Sequence, residues 1–420
     1  MSLTKKPATG MKDILPEEMK IRDYCIKKIE ETYATFGFSH IETPCVEHIE
    51  NLCSKQGGEN EKLIFKILKR GEKLNYSEAK EENDLVDAGL RYDLTVPLAR
   101  FFSNNSASLP VPFKALQMGN VFRAEKPQKG RFRQFMQCDI DILGEPTNIA
   151  EIELILATTT LLSKLDFKNF RVKMNDRRIL KAMAVFAGFP EDGMDNVFII
   201  LDKMDKIGFD GVKEVLIENG YDSEVVNKYM SLFDGINQSD NALEYLKSIL
   251  EGNIEDGVID NLNEIFETVN SAITAECTIS FDPTLVRGMG YYTGPIFEVE
   301  MAELNCSVAG GGRYDKMIGR FTGNDTAACG FSIGFERIIT ILLEKGFKVP
   351  GSDEKYAFLI EKGMSANRLG EIIKEANVLR NEGKVVLVAK MNKNKKFQKE
   401  TLMNEGYTQF KDFYVEGLKY

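Results

Sequence analysis

Strict alternation of polar and apolar residues over positions 133–142 constrains the fold more than any other sequence feature. The stretch follows a basic loop, AEKPQKGRFR, in which Pro127 and Gly130 are turn residues. One side of the predicted strand carries Arg133, Phe135, Gln137, Asp139 and Asp141, and the other carries Gln134, Met136, Cys138, Ile140 and Ile142. Because successive side chains of a strand point to opposite faces, we predict an antiparallel strand–loop–strand unit with one apolar face.

The polar face of this strand has two interpretations that the sequence leaves open. Half-exposed antiparallel strands commonly carry such a face in water. Alternatively, the face is the floor of a cleft in which basic residues meet an anion and the two aspartates meet a cationic or hydrogen-bond-donating group. The segment Gly89–Ala99 alternates in the same way and predicts a second charged strand, with Arg91, Asp93 and Thr95 on one face.

Composition restricts the class of function. The 420 residues are 43% hydrophobic and 28% charged, which predicts a globular protein of two or three domains. The net charge of −10 means that any contact with a polyanion must come from a local patch. Only two histidines are present, which argues against a histidine-rich metal site or a Ser/His/Asp triad. Seven scattered cysteines, no signal peptide and no apolar run of about 18 residues favour a reducing cytoplasm and no membrane span.

The order of patterns along the chain predicts four segments. They are the first part of a main domain (1–165), a helix-rich acidic insertion (166–276), the second part of the main domain (277–349) and a small α/β domain (355–420). Near the start, Phe38–Val46 reads as a strand that contains Pro44; since proline donates no ladder hydrogen bond, this strand lies at an edge or an interface. The last segment has thirteen Lys/Arg against eight Asp/Glu, so its lysine-rich helix is either a solvated face or a polyanion contact.

Three glycine-bearing segments are candidates for ligand binding. TLVRGMGYYTGPIFEVE places Arg287 before a Gly-Met-Gly bend and two tyrosines, and SVAGGGRYD carries three glycines on a predicted strand. The second matches neither a Walker loop nor a dinucleotide fingerprint. GFSIGFERIITILLEKG predicts a strand that enters an amphipathic helix, with Arg337 in its opening turn. Glycine at such places lets a ring or another part of a ligand approach the backbone closely.

Together these segments resemble the histidyl-tRNA synthetase family of class II aminoacyl-tRNA synthetases. FGFSHIETP, VFRAEKPQKGRFRQFMQCDIDILG and GFSIGFERI resemble the three class II motifs, while LVRGMGYYTG and AGGGRYD resemble the two histidine-specific signatures. The five matches follow the family's order over some 300 residues. VVLVAKMNKNKKFQKETLMNEGY resembles the family's anticodon-binding domain more loosely, and that domain is short here. Gly290 departs from the signature, which carries an aspartate at that position.

The resemblance implies an α+β fold, in which helices flank a class II synthetase-like sheet of six antiparallel strands. It also implies a helical insertion and a shortened, anticodon-binding-like domain. It implies ATP as cosubstrate, Mg²⁺ carried on the ATP phosphates rather than in a dedicated metal site, and L-histidine and tRNA(His) as partners. It also implies a homodimer, with Pro44 at the interface.

The resemblance further implies a role for individual residues. Arg287 and Arg123 would be catalytic, holding the α-phosphate from two sides. The histidine α-ammonium would meet Asp93, Thr95 and Gln137, and the imidazole would meet Asp141 and Tyr292. The complete sets are Asp93, Leu94, Thr95, Gln137, Asp141, Tyr291, Tyr292, Gly310 and Gly311 for histidine, and Arg123, Glu125, Arg131 and Arg337 for ATP. Residues 128–131 of the basic loop would contact the tRNA acceptor end.

An arginine-rich site without histidine suits attack of a carboxylate on the α-phosphate of ATP, because the nucleophile is already ionised and only phosphate charge needs stabilising. Two alternatives share the resemblance. One is a non-catalytic, synthetase-like regulatory subunit of ATP phosphoribosyltransferase. The other is an enzyme that makes histidyl-adenylate but charges tRNA poorly.

Overall fold

The computed structural model describes residues 3–53, 61–127, 132–286, 291–301, 306–351 and 354–415. Residues 1–14 and 22–345 form a larger compact unit, and residues 15–21 and 346–420 form a smaller one. Arg131 and Arg287 of the predicted site lie outside the described residues, as do Gly290 and the loop residues 128–130.

The described residues contain the following regular elements. The strands are β1 Ser39–Ile41, β2 Val46–His48, β3 Lys66–Leu68, β4 Val86–Leu90, β5 Phe113–Phe122, β6 Gln134–Leu143, β7 Phe170–Asp176, β8 Cys277–Phe281, β9 Pro295–Met301, β10 Cys306–Arg313, β11 Ala328–Ile333, β12 Lys355–Ile360, β13 Val385–Lys390 and β14 Tyr407–Phe413. The helices are α1 Pro16–Thr35, α2 Ile49–Leu52, α3 Thr95–Asn105, α4 Ile149–Lys164, α5 Arg177–Ala187, α6 Met194–Leu201, α7 Met204–Glu218, α8 Ser223–Gln238, α9 Ala242–Ile249, α10 Val258–Ala272, α11 Asp315–Thr322, α12 Phe335–Glu344, α13 Ala366–Asn381 and α14 Lys395–Asn404.

A large sheet organises the larger unit. Within the described residues its eight strands follow the order β1-β5-β6-β11-β10-β9-β7-β8. The six central strands are antiparallel, whereas β1 pairs with β5 and β8 pairs with β7 in parallel at the two edges. The antiparallel core therefore has the predicted six strands, and two parallel edge strands extend it. The strand expected at 133–142 is β6, which confirms the alternation there.

Two expected strands differ from the structure for identifiable reasons. The alternating segment around Asp93 is not a strand, because β4 ends at Leu90 and the Asp93 carboxylate accepts a hydrogen bond at 3.2 Å from the Val96 N–H in the first turn of α3. A polar cap followed by a helical turn imitates period-two alternation over a few residues. Pro44 lies between β1 and β2 rather than inside one strand, although β1 is an edge strand as expected.

The segment predicted as a helical insertion contains one strand of the large sheet. Strand β7 pairs with β9 on one side and with β8 on the other. The helices α5 to α10 follow it, so the helical part begins at Arg177 rather than at residue 166. The wider division into four segments stays a prediction.

The two faces of β6 have different surroundings, as its alternation predicts. Cys138, Ile140 and Ile142 are buried on the apolar face, and β6 contacts helices α4 and α12. On the other face, a core cluster joins α3, α11 and the ends of β5 and β6 through residues such as Phe102, Phe113 and Ile318. Asp139 and Asp141 lie beside this cluster, so the polar face is a cleft floor rather than a solvated surface.

The smaller unit is an α/β layer with its own core, as expected. Its parallel sheet has the order β13-β12-β14, and apolar residues are buried on both faces of β12. Lys395 and Lys399 of the lysine-rich helix α14 both lie 2.9 Å from an Asp412 carboxylate oxygen, so part of the predicted basic patch is neutralised within the unit. Among the described helices of the chain, none combines the length and the apolarity that a membrane crossing requires.

Candidate active site

A cavity of about 430 Å³ opens on the polar face of the large sheet. Its lining comes from β6, β10, β11, the first turns of α3 and α12, and the segment that follows β5. The predicted site residues on the lining are Asp93, Thr95, Arg123, Glu125, Gln137, Asp141, Tyr291, Tyr292, Gly310, Gly311 and Arg337. Segments more than 240 positions apart thus contribute to one cavity.

Three carboxylates, those of Asp93, Asp139 and Asp141, form an acidic part of the lining. Burial raises the pKa of Asp93 above its ordinary value of 3.8. Burial also raises the pKa of Asp139 to about 7, and the neighbouring Asp93 adds to this shift. For Asp141, burial and then the charge of Asp139 raise the pKa well above the ordinary value. A site that holds two buried acids and one partly buried acid together is suited to a cationic or hydrogen-bond-donating ligand.

Asp141 is held in place by two neighbours. The buried Tyr314 hydroxyl donates a hydrogen bond at 2.5 Å to Asp141 Oδ1. Gly330 pairs with Asp141 across β11 and β6, and a Cβ atom at Gly330 would lie 2.0 Å from the same oxygen. The absence of a side chain at Gly330 therefore makes room for the carboxylate, and the phenol fixes its orientation.

A hydrogen-bonded network links Gln137, Asp139 and Ser332. The Ser332 hydroxyl donates to Asp139 Oδ1 at 2.5 Å, and Gln137 Nε2 donates to the Ser332 oxygen at 3.0 Å. Gln137 Oε1 is buried and has no hydrogen-bond donor within the described part of the chain. Since a buried acceptor without a donor is costly, this oxygen is suited to receive a proton donor from a ligand.

Arginines line the same cavity. The Arg123 guanidinium lies over the ring of Tyr92, 4.3 Å from its centroid, and 5.1 Å from that of Phe135. Its Nε donates to the Tyr92 carbonyl at 3.2 Å, and one terminal nitrogen lies 4.0 Å from a Glu125 carboxylate oxygen. Arg337, in the first turn of α12, donates to the Ser307 carbonyl of β10. Guanidinium groups fixed in this way are well suited to phosphate and carboxylate oxygens.

Glycines and tyrosines shape the wall between these groups. A Cβ atom at Gly311 would lie 1.9 Å from the Gly330 carbonyl oxygen, so the strand pair β10–β11 tolerates no side chain there. The rings of Tyr291 and Tyr292 are tilted with centroids 4.4 Å apart, and their hydroxyl oxygens are 3.3 Å apart. Both tyrosines line the cavity.

The sequence model of the histidyl-tRNA synthetase family matches residues 10–338. The chain belongs to the histidyl-tRNA synthetase family. A relative in this family, the histidine–tRNA ligase of Leifsonia xyli subsp. xyli, is 44% identical over 345 residues, which are 80% of each chain.

Solved structures agree on the fold of this histidyl-tRNA synthetase family member. The histidyl-tRNA synthetase of Nostoc sp. PCC 7120 has a TM-score of 0.77 at 25% identity and covers 96% of this chain and 90% of its own. A protein described as an ATP phosphoribosyltransferase regulatory subunit/histidyl-tRNA synthetase from Bacillus halodurans C has a TM-score of 0.78 at 21% identity, covering 99% of this chain and 100% of that one. The predicted α+β, class II synthetase-like fold is confirmed.

Leu94 is the one described residue of the predicted histidine site that does not line the cavity. Its side chain is buried and does not line the cavity, while its carbonyl accepts a hydrogen bond from Gln117 Nε2 at 3.1 Å. It therefore supports the wall from behind.

Tyr314 and Ser332 line the cavity but were not among the predicted site residues. The alternation placed Asp139 beside Asp141 on the cleft floor in one of its two interpretations, whereas the family resemblance gave Asp139 no role. Tyr314 lies within the family signature AGGGRYD, but its contact with Asp141 depends on the packing of strands 173 residues apart. Ser332 faces Asp139 through the register of β6 and β11, which no local pattern gives.

Gly330→Ala is expected to weaken histidine binding by about 10- to 100-fold, because the new methyl group displaces the Asp141 carboxylate and misplaced binding groups lose this much. Isothermal titration calorimetry with histidine measures the effect. Gly370→Ala is the matched control, since a Cβ atom there has no neighbour within 4 Å. Unchanged affinity in Gly330→Ala would contradict the assigned position of Asp141.

Asp139→Asn is expected to stabilise the protein at pH 8 relative to the unmodified chain, and to do so much less at pH 4. Folding raises the Asp139 pKa from 3.8 to about 7, so the folded state binds this proton more tightly. Its contribution to stability is therefore present below pH 4 and lost as the pH rises towards 7. A shift of this size corresponds to about 4 kcal/mol. Thermal denaturation at both pH values measures the difference, and an equal effect at both would contradict the raised pKa.

Proposed function

We propose that the chain activates L-histidine with ATP to form histidyl-adenylate and transfers the histidyl group to tRNA(His). The single observation that carries this proposal is the placement of buried acids and of arginines on one cavity, in a chain of the histidyl-tRNA synthetase family. Histidine offers an ammonium group and ring N–H donors to the acids, and its carboxylate and the ATP phosphates suit the arginines.

The proposed reaction needs no general base. The histidine carboxylate is ionised at neutral pH and attacks the α-phosphorus of ATP, so the P–O bond to pyrophosphate breaks as the new one forms. Arg123 would hold the carboxylate and the α-phosphate, and Arg337 would hold the γ-phosphate end. Cationic groups fixed before the reaction lower the barrier where negative charge develops. Arg287 and Arg131 keep their predicted roles, as the opposing catalytic cation and an ATP contact.

Recognition of the amino acid would use the acidic part of the cavity. Asp93, Thr95 and Gln137 would receive the α-ammonium group, and the free acceptor Gln137 Oε1 supports this assignment. Asp141 and Tyr292 would bind the two imidazole nitrogens. Because an analogue without the ring N–H would leave buried polar groups without partners, such a site discriminates by factors of about 10⁴ or more.

The remaining partners follow from the same proposal. ATP would bring Mg²⁺ on its phosphates; the Glu125 carboxylate beside Arg123 offers the oxygen ligands that Mg²⁺ prefers. The smaller unit would contact tRNA(His) through exposed lysines, Lys393 just before α14 and Lys396 on it. Residues 128–131 would contact the acceptor end of the tRNA. A homodimer with Pro44 at its interface and a cytoplasmic location complete the proposal.

A regulatory role is the second candidate, because one fold neighbour is described as an ATP phosphoribosyltransferase regulatory subunit/histidyl-tRNA synthetase. Retention of Arg123, Arg337, Gln137 and both tyrosines on the cavity favours the enzyme. A third candidate is an enzyme that forms histidyl-adenylate but charges tRNA poorly.

Aminoacylation of tRNA(His) with radiolabelled histidine tests the proposal. The proposed synthetase function predicts that tRNA(His) is charged in a reaction that depends on histidine and ATP. Adenylate formation without charging would favour the third candidate, and neither activity would favour the regulator.

A further inference from the structure

A buried ion pair joins helix α1 to the first turn of α12. Arg22 donates two hydrogen bonds to Glu336, at 2.7 Å and 2.8 Å, and both residues are at least nine-tenths buried. The Arg22 guanidinium also lies 4.9 Å from the centroid of the Phe335 ring, next to Glu336 in the chain. Bidentate pairs of this kind fix geometry as well as charge.

Glu336 also extends the sheet ladder. Strand β11 ends at Ile333, which pairs with Cys138 of β6. Met136 lies two residues before Cys138 in β6, and its N–H donates to Glu336 Oε1 at 3.2 Å. One carboxylate thus links α1, β6 and α12 at the point where the pairing of β6 with β11 ends.

The position of this carboxylate bears on the cavity. Glu336 lies on the cavity lining, whereas Arg22 does not and instead lines a separate small cavity of about 60 Å³ that Glu336 also borders. Arg337 follows Glu336 in the same helical turn and reaches the Ser307 carbonyl across the cavity wall. Because the two residues are neighbours in one helical turn, a displacement of the backbone at Glu336 also displaces Arg337.

We propose that the Arg22–Glu336 ion pair is a positioning device for Arg337 and sets the place where the terminal phosphate of ATP binds. The inference rests on the proposed function of the cavity. Arg22 acts through Glu336 and touches no substrate. Loss of the pair shifts the guanidinium of Arg337. The acidic part of the cavity, on β6 and just before α3, keeps its own contacts with Tyr314, Ser332 and Val96.

The test compares Arg22→Gln and Glu336→Gln with the unmodified chain in the full-length protein. Both variants are expected to raise the Kd of ATP, measured by calorimetry with Mg²⁺, and its KM in histidine-dependent pyrophosphate exchange, by about tenfold or more. The Kd of histidine measured without ATP stays within about twofold, a separation that general destabilisation would not produce. The double variant is expected to weaken ATP binding no more than either single variant, because the two residues act as one unit.

Arg178→Gln is the control, since Arg178 forms a partly buried ion pair with Asp176, at 2.7 Å, and neither residue lines the cavity. Unchanged ATP affinity in Arg22→Gln, or an equal loss in Arg178→Gln, would overturn the inference. If Arg22→Gln does not fold, Arg22→Lys, which keeps the charge but loses the bidentate geometry, is judged by the same criteria. An unmodified chain that binds ATP without histidine-dependent exchange would instead count against the proposed function alone.

Discussion

Replacement of Arg123 by alanine is expected to reduce histidine-dependent ATP–pyrophosphate exchange by about 10² to 10³-fold, with most of the loss in kcat. Arg123 is held by the Tyr92 carbonyl and by the rings of Tyr92 and Phe135 before any substrate binds. Because this preorganised cation would face the charge that develops on the α-phosphate, its loss removes transition-state stabilisation, and single donors of this kind have effects of this size.

Two further variants make the Arg123 result specific. Arg123→Lys is expected to recover part of the activity only, because an ammonium group keeps the charge but not the planar, bidentate geometry. Arg171→Ala removes an exposed arginine of strand β7, outside the cavity, and is expected to leave exchange unchanged. Near-full activity in Arg123→Ala would rule out the catalytic assignment.

Asp141→Asn is expected to weaken histidine binding by about 10²-fold while the protein stays folded. Tyr314 donates to Oδ1 of Asp141, so the asparagine carbonyl oxygen is kept at that position by the phenol. The amide nitrogen then occupies the place of the second carboxylate oxygen and presents a donor to the imidazole N–H. Two donors facing each other in a buried site lose the hydrogen bond and leave both groups without an acceptor.

Equilibrium binding of histidine by calorimetry measures the Asp141 effect without relying on catalysis. Asp282→Asn is the matched control, since Asp282 pairs with Lys173 at 3.3 Å outside the cavity lining. Equal histidine affinity in Asp141→Asn and the unmodified chain would show that another group binds the ring.

Local patterns predicted those parts of the fold in which one segment determines its own structure. The alternation in β6 was sufficient because the strand is long and its two faces have different surroundings. The same rule misassigned the segment around Asp93, where the hydrogen bond from the Val96 N–H to Asp93 accompanies the start of α3 and the first helical residues imitate a strand. Strand β7 was missed because it has only seven residues and is followed by a long stretch whose patterns are helical.

The candidate site was predictable only where chemistry and family motifs coincided. Arginine, aspartate and tyrosine in the motifs pointed to Arg123, Asp141 and Tyr292, and these residues do line one cavity. Contacts made by tertiary packing could not be predicted from local patterns. Arg22 and Glu336 are 314 positions apart in the chain, and Tyr314 and Asp141 are 173 positions apart. Whether the polar face of β6 was solvated or enclosed also depended on packing, because α3 and α11 complete the core beside it.

ATP–pyrophosphate exchange by the unmodified chain, measured separately with each of the twenty amino acids, tests the central claim most directly. If the cavity joins an acidic histidine site to a phosphate site, exchange will occur with histidine and stay at background with the others. Absence of exchange with histidine, or comparable exchange with another amino acid, would contradict the account.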